Sequence, residues 1–322
     1  MATYKEIKGT QIEVLASDPS NPVEGQVWYN TTSNALKGLV VTTAGVWATG
    51  GSMGTARNAI GSAGTQTAAL GFGGQPGNTV NTELYDGASW TEVNNLNTGR
   101  NGIVGAGTST SALGFGGEGS SPNPKNETEL WNGTNWTEVN NLNTAGKYKG
   151  SAGASNTAAL SFTGIGPDNS NPVTNVELWN GTNWTETTDV NTARDSLAGS
   201  GTSTSAIAIG GAPNRAITEQ WNGSNWTEVN DLNNGRGSLA ATAQDATNAL
   251  AFGGTSPIVG DTEIWNGTNW TETTNLSTAR SALGGAGIYT AAIAFAGQTP
   301  TPVTATEEFT GAGPLTRTFT DS

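Results

Sequence analysis

The phrase ELWNGTNWTEVNNLNTA at 129–145 recurs along most of this 322-residue chain, and its recurrence constrains the fold more than any other feature. Its second tryptophan falls at Trp47, Trp90, Trp136, Trp184, Trp226 and Trp270, so the intervals are 43, 46, 48, 42 and 44 residues. A repeat of that length, rich in short strands, has the size of one β-propeller blade, and such units bury their apolar faces only against one another. Length is therefore counted in repeats rather than in ordinary domains.

Within each repeat the order of signals is constant. An Asn/Thr-rich crossing leads from the Trp to an arginine ten residues later, at Arg57, Arg100, Arg194, Arg236 and Arg280; Gly146, followed by Lys147, is the exception. Two short strands of small residues follow, the second ending in a Gly pair or a variant of it: LGFGG at 70–74 and 113–117, LSFTG at 160–164, IAIGG at 207–211, LAFGG at 250–254 and IAFAG at 293–297. A third strand carries Glu83, Glu129, Glu177, Glu219, Glu263 or Glu307, with an aromatic two places on. An Asn-Gly or Asp-Gly pair then predicts a hairpin, since both residues tolerate positive φ. The next Trp opens the fourth strand.

The two ends of the array complement each other. Residues 39–47 contain a Trp with no preceding ELWNG, and EEFTGAG at 307–313 supplies the missing half without a following Trp. A ring must close without a free edge, so the Trp47 strand is expected to complete the last blade. The expectation is an all-β, six-bladed propeller at 39–313 with four antiparallel strands per blade. A small N-terminal β-hairpin attachment module at 1–38 precedes it and a tail at 314–322 follows. The module is read from PVEGQVWYNTTSNALKG at 22–38, with Pro22 and Gly25 near its start and Gln26, Trp28, Tyr29 and Asn30 as candidate attachment residues.

Composition narrows the chemistry. A net charge of −13 with 13 scattered basic residues disfavours a phosphate backbone, so no nucleic-acid partner is expected. The chain has no Cys and no His, which removes thiolate chemistry, zinc sites and histidine acid–base catalysis. No cofactor is expected. The start, MATYKEIKGTQIEVL, has no apolar stretch of signal-peptide length, and no later run reaches the roughly 18 apolar residues that span a bilayer, so neither export by the ordinary route nor membrane insertion is expected.

The ordered set of Arg, Gly-Gly after an apolar strand, Glu then aromatic, and Trp resembles the kelch repeat over roughly 39–313, with a shorter aromatic-to-Trp interval than usual. The whole chain resembles kelch-like proteins of tailed phages, especially marine ones, in which a PVEGQVWYN-type module precedes WNGTNWTE-style blades. That resemblance implies a virion protein, attached to other virion proteins through its N-terminal module. Its propeller would be displayed at the particle surface as a tail-fibre, receptor-binding or decorating domain that contacts a host glycan or protein, and it would assemble as an oligomer, a trimer being one option.

Catalysis is not expected. Arginines repeated in nearly every blade read as strand bridges paired with the third-strand Glu column rather than as a carboxylate-binding site. A second acidic column, Glu92, Glu138, Glu186, Glu228 and Glu272, reads as edge charge. A glycan-binding bacterial lectin is the alternative function, and a glycoside hydrolase a further one, which would need two carboxylates facing one cleft. Recognition is expected in the variable loops 75–82, 118–128, 165–176, 212–218, 255–262 and 298–306, which carry Pro76, Pro122, Pro124, Pro167, Pro172, Pro213, Pro257, Pro300 and Pro302.

Overall fold

The computed structural model describes residues 12–19, 26–42, 44–121, 123–255 and 257–319, and among them there are strands and turns but no helix. The chain divides into two compact units, one from Met1–Gly45 with Gly311–Ser322, the other Val46–Thr310.

The larger unit repeats one plan, an open four-stranded antiparallel sheet in which chain neighbours pair. The first sheet is Gly61–Thr65, Ala68–Phe72, Thr82–Tyr85 and Trp90–Val93, and the second is Val104–Thr108, Ser111–Phe115, Thr128–Trp131 and Trp136–Val139. The third is Gly150–Ser155, Ala158–Phe162, Val176–Trp179 and Trp184–Thr187. Ala198–Gly201, Ala206–Ile209, Thr218–Trp221 and Trp226–Val229 form the fourth, and Ala240–Asp245, Asn248–Phe252, Thr262–Trp265 and Trp270–Glu272 the fifth. In the sixth, Gly284–Ile288, Ala291–Phe295 and Thr306–Thr310 are joined by Val46–Thr49, which pairs Phe309 with Trp47 and Thr310 with Val46.

The local chemistry of each hairpin follows from its turn. Between the paired Trp131 and Trp136, Asn132 Oδ1 accepts the backbone N–H groups of Thr134 and Asn135 at 2.9 and 2.8 Å, and Gly133 takes φ 91°. A side-chain amide that mimics a backbone turn, followed by a residue free to adopt positive φ, is what N-G-T-N supplies.

Each sheet packs on the one before it through the Trp of its fourth strand. Trp136 lies 4.9 Å from Phe72, Trp184 4.8 Å from Phe115, Trp226 5.0 Å from Phe162, Trp47 5.1 Å from Phe252 and Trp90 4.7 Å from Phe295, measured between ring centroids. The indole N–H also reaches across: Trp136 donates to Thr82 Oγ1 at 3.1 Å, Trp184 to Thr128 at 3.0 Å, Trp270 to Thr218 at 3.2 Å, Trp47 to Thr262 at 3.2 Å and Trp90 to Thr306 at 3.0 Å. Small residues on the second strands make room for these rings; a Cβ on Gly114 would lie 2.8 Å from Phe72 Cε2. The large ring area and the tethered indole N–H together fix the spacing of neighbouring sheets.

A second tie runs through the segments just before each first strand. Ala59 N donates to Ala282 O, Ala282 N to Ser238 O, Ser238 N to Ser196 O, Ser196 N to Tyr148 O, Tyr148 N to Gly102 O, and Gly102 N to Ala59 O, at 2.6 to 3.1 Å. The sixth bond returns to the residue that began the first. All six residues adopt φ between 49° and 57°.

In the smaller unit Val27–Asn30 lies between Glu13–Leu15, to which it is parallel, and Ala35–Thr42, which pairs in turn with Gly313–Phe319. The boundary expected after residue 38 therefore falls inside a strand, and residues 39–42, read as the start of the repeats, belong to the smaller unit. Residues 314–319, read as tail, are that unit's fourth strand, because extended backbone at 35–42 offers them a hydrogen-bonding edge that a local reading of the sequence does not reveal. Pro22 and Gly25 lie outside the described residues.

Candidate functional site

The arginine column lies within the sheets. Arg57, Arg100 and Arg280 donate from Nη2 to Glu83, Glu129 and Glu307 at 2.8, 2.8 and 2.9 Å, and from Nη1 to two carbonyls each, those of Gly73 and Asn81, Gly116 and Glu127, and Ala296 and Ala305. Arg194 pairs with Glu219 and Arg236 with Glu263 through Nη1. All ten side chains are buried. Burial draws Arg57, Arg100 and Arg280 below the usual arginine range, and the paired carboxylates act against that shift.

The second oxygen of each Glu caps the preceding crossing, as where Asn97 N and Nδ2 donate to Glu129 Oε2 at 2.7 and 2.8 Å. The pairs are thus internal ties between crossing and sheet. Glu92, Glu138, Glu186, Glu228 and Glu272 stand exposed, one on each of five fourth strands.

The first strands of the six sheets line a central cavity of about 370 Å³. Its lining is Gly, Ala, Ser, Thr and aliphatic side chains with Gln244 and, as the charged member, Lys149, and no residue of the arginine column takes part. At one end a shallower cup of about 110 Å³ is formed by the positive-φ ring together with Ile60, Ile103, Leu197, Leu239 and Leu283.

The variable loops gather at this end. Their bases bridge to the residues that follow the arginine column, Asn58 to Gln75, Asn101 to Glu118, Lys147 to Ile165, Gly237 to Thr255 and Ser281 to Gln298. Peptide bonds preceding Pro76, Pro124, Pro213 and Pro300 are cis. Pro172 and Pro302 each form a bridge within their loops, Pro167 and Pro257 occupy turns, and Pro122 lies outside the described residues.

Symmetry breaks at the third sheet. Where other repeats read Arg-Asn-Ala-Ile, Arg-Asn-Gly-Ile, Arg-Asp-Ser-Leu, Arg-Gly-Ser-Leu or Arg-Ser-Ala-Leu, this one reads Gly146-Lys147-Tyr148-Lys149. Tyr148 packs its ring against Gly102, whose Cβ would lie 2.7 Å from Tyr148 Cε1. Its hydroxyl donates to Asn101 Oδ1 at 3.2 Å and lies 3.4 Å from Glu118 Oε2. Lys147 Nζ is 3.0 Å from the same oxygen and 5.5 Å from the Tyr148 ring centroid, while Asn123 Nδ2 donates to Glu118 Oε1 at 2.9 Å. Burial, then Glu118, pushes the Tyr148 phenol up to about 12. Burial also pushes Glu118 up, but hydrogen bonds from Asn123 and Lys147 outweigh it and hold the carboxyl below its ordinary value. The result is an aromatic ring, an ammonium, a carboxylate and two amides beside an apolar cup. This cluster escapes a reading based on repetition, and its sequence signal is the single break in the arginine column.

Lys149 takes the place of the aliphatic residue of the cup. Its side chain is buried and turns toward Gly146; a Cβ on that glycine would lie 3.2 Å from Lys149 Cδ and 3.3 Å from Nζ. Burial lowers its ammonium to about 8 against an opposing pull from Glu177, the charged group that faces it. Between that value and the ordinary 10.5 the unfolded chain binds more protons than the folded one, so this contribution to stability rises with pH. Lys149→Met is expected to lack this rise, so that its stability relative to the parent falls by on the order of 1–3 kcal/mol between pH 7 and pH 9.5. Urea denaturation across that range checks it, and a difference independent of pH contradicts it.

In the smaller unit the candidate attachment residues hold the sheet together. Trp28 is fully buried and donates to Asp18 Oδ1 at 3.0 Å, Asn30 is buried and donates to the same oxygen at 2.6 Å, and Lys37 Nζ reaches Asp18 Oδ2 at 2.9 Å. These hydrogen bonds, with that from Lys37 first, hold Asp18 down at about 2. Tyr29 donates to Asn34 at 3.4 Å and Gln26 to Glu13 at 3.4 Å. Among the described residues of this unit the exposed large apolar side chains are Ile12 and Val14.

No cluster of His, Cys, Asp and Glu suited to a metal ion occurs among the described residues. Comparison with known proteins found no matching family model and no matching curated protein.

Proposed function

We propose that the repeated sheets are the blades of a closed, six-bladed kelch-like β-propeller and that the protein works without catalysis, as a recognition domain displayed on the virion of a tailed phage. Two sets of contacts support closure: the cyclic backbone ring through Ala59 and Ala282, and the Trp contacts between successive sheets, made to a Phe ring in five pairs, Trp90 with Phe295 among them, and to Thr218 by Trp270 between the fourth and fifth. The observation that carries the functional reading is the cluster of Glu118, Asn101, Lys147 and Tyr148, where the repeat departs from its plan among the variable loops while the repeated arginines are spent on internal ion pairs. An asymmetric polar and aromatic group on a rigid symmetric frame suits binding of a host-surface ligand.

The setting rests on the N-terminal resemblance, with the smaller unit joining other virion proteins. The amides and tyrosine of the cluster also suit a sugar, which favours a lectin as the second reading. Cryo-EM of purified particles is expected to find the protein on the virion, and its absence there ends that assignment. Tyr148→Ala is expected to weaken binding to host cells or arrayed glycans at least tenfold with the circular dichroism spectrum unchanged; undiminished binding removes the cluster from the recognition surface.

A further inference from the structure

Three buried polar atoms of the third sheet, Lys149 Nζ, Ser161 Oγ and Asn175 Oδ1, make no hydrogen bond within the protein. They share one neighbourhood. Ser161 is the cross-strand partner of Glu177, Asn175 precedes Glu177 by two residues on the same face and donates to it at 3.4 Å, and Glu177 is the charge that Lys149 faces. In the first, second and sixth sheets this place is filled by the arginine, whose Nη1 donates to the carbonyls before and after the loop.

The third sheet has exchanged two positions. Glycine stands where the arginine was, and lysine stands where Ile60, Ile103, Leu197, Leu239 and Leu283 stand in the others. The lysine enters the same space from the other side. It brings one charge but a compact head in place of a fork of donors, and a Gly–Lys pair fills less volume than an Arg–Leu pair. The small Ser161 stands where other sheets carry Gly or Ala, so a hydroxyl has been added to the wall.

We propose that this pocket binds water as an integral part of the fold, with one or two molecules joining the Lys149 ammonium to Ser161 Oγ and Asn175 Oδ1. Charge selects the guest. An anion would meet the Glu177 carboxylate and a cation the Lys149 ammonium, while a neutral molecule that both donates and accepts satisfies all three atoms. Glu177 is already supplied by Asn143 N, Asn143 Nδ2 and Thr144 N at 2.7, 2.9 and 3.0 Å, so it does not need the lysine as a direct donor. Buried waters characteristically make about three hydrogen bonds to polar groups that lack a protein partner.

A crystal structure at about 1.5 Å or better tests this. The expected result is ordered density within hydrogen-bond distance of Lys149 Nζ and of Ser161 Oγ or Asn175 Oδ1. A dry pocket with Lys149 bonded directly to Glu177 overturns it, as does an anomalous signal for bromide at that position in bromide-containing crystals. The double variant Gly146→Arg/Lys149→Leu restores the plan of the other sheets and is expected to lose that density. Independently of crystals, oxygen-17 relaxation dispersion is expected to count one or two fewer long-lived waters in this variant than in the parent. The conservative Ser161→Ala serves the same readout if the double variant fails to fold, and an unchanged count in the folded variant contradicts the proposal.

Discussion

Replacing Glu129 by leucine is expected to destabilise the protein by about 3–5 kcal/mol, because it leaves the Arg100 guanidinium buried without a counter-charge. The same change also strips the crossing of an acceptor that takes two hydrogen bonds from Asn97. Glu138 lies directly opposite Glu129 in the ladder but is exposed, so Glu138→Leu is expected to stay within about 0.5 kcal/mol of the parent. Arg100→Leu leaves the carboxylate instead, and the double variant Arg100→Leu/Glu129→Leu is expected to cost clearly less than the sum of the two. Urea denaturation of the four proteins provides the cycle. A Glu129→Leu cost below about 1 kcal/mol contradicts the account of the pair as a mutually compensating buried unit.

Trp47→Ala carries the second large expected effect, about 3–5 kcal/mol for loss of a packed tryptophan. Its ring lies 5.1 Å from Phe309 in its own sheet and 5.1 Å from Phe252 in the fifth, and its N–H is tied to Thr262. Trp184 makes the corresponding contacts with Phe115 and Thr128, in a sheet built from one continuous stretch of chain. If the strand contributed by residues 46–49 holds the last sheet as firmly as a local strand would, Trp47→Ala and Trp184→Ala cost comparable amounts. Thermal unfolding followed by tryptophan fluorescence measures both. A Trp47→Ala protein that melts like the parent contradicts the packing described for that strand.

Repetition made part of this molecule legible from its residues alone. An arginine and a glutamate at fixed offsets in five repeats point to a bridge inside the sheet, and the split phrase at Trp47 and Phe309 points to the pairing of residues 46–49 with 306–310. Features that depend on where a side chain ends rather than where it starts stayed hidden. Lys149 sits three positions after the missing arginine, and only the path of its chain toward Gly146 brings it to Glu177. The ring of positive-φ residues was equally silent, since Ala59, Tyr148, Ser196, Ser238 and Ala282 carry no preference for that conformation and the surrounding structure imposes it. Trp28 and Asn30 look like contact residues in isolation, yet Asp18, ten or more residues earlier, turns both inward. The pairing of 313–319 with 35–42 joins segments from opposite ends of the sequence, beyond the reach of local pattern.

The two points at which the chain enters and leaves the larger unit, Val46 and Thr310, are opposite one another in the sixth sheet. A pull that separates those points acts across the ladder and meets its bonds one after another, beginning with Thr310 and Val46 and proceeding to Phe309 and Trp47. Drawn in the same direction, both strands are loaded together and their mutual ladder carries no shear. The sixth sheet therefore meets a separating pull with one ladder pair at a time and a common pull with both strands together.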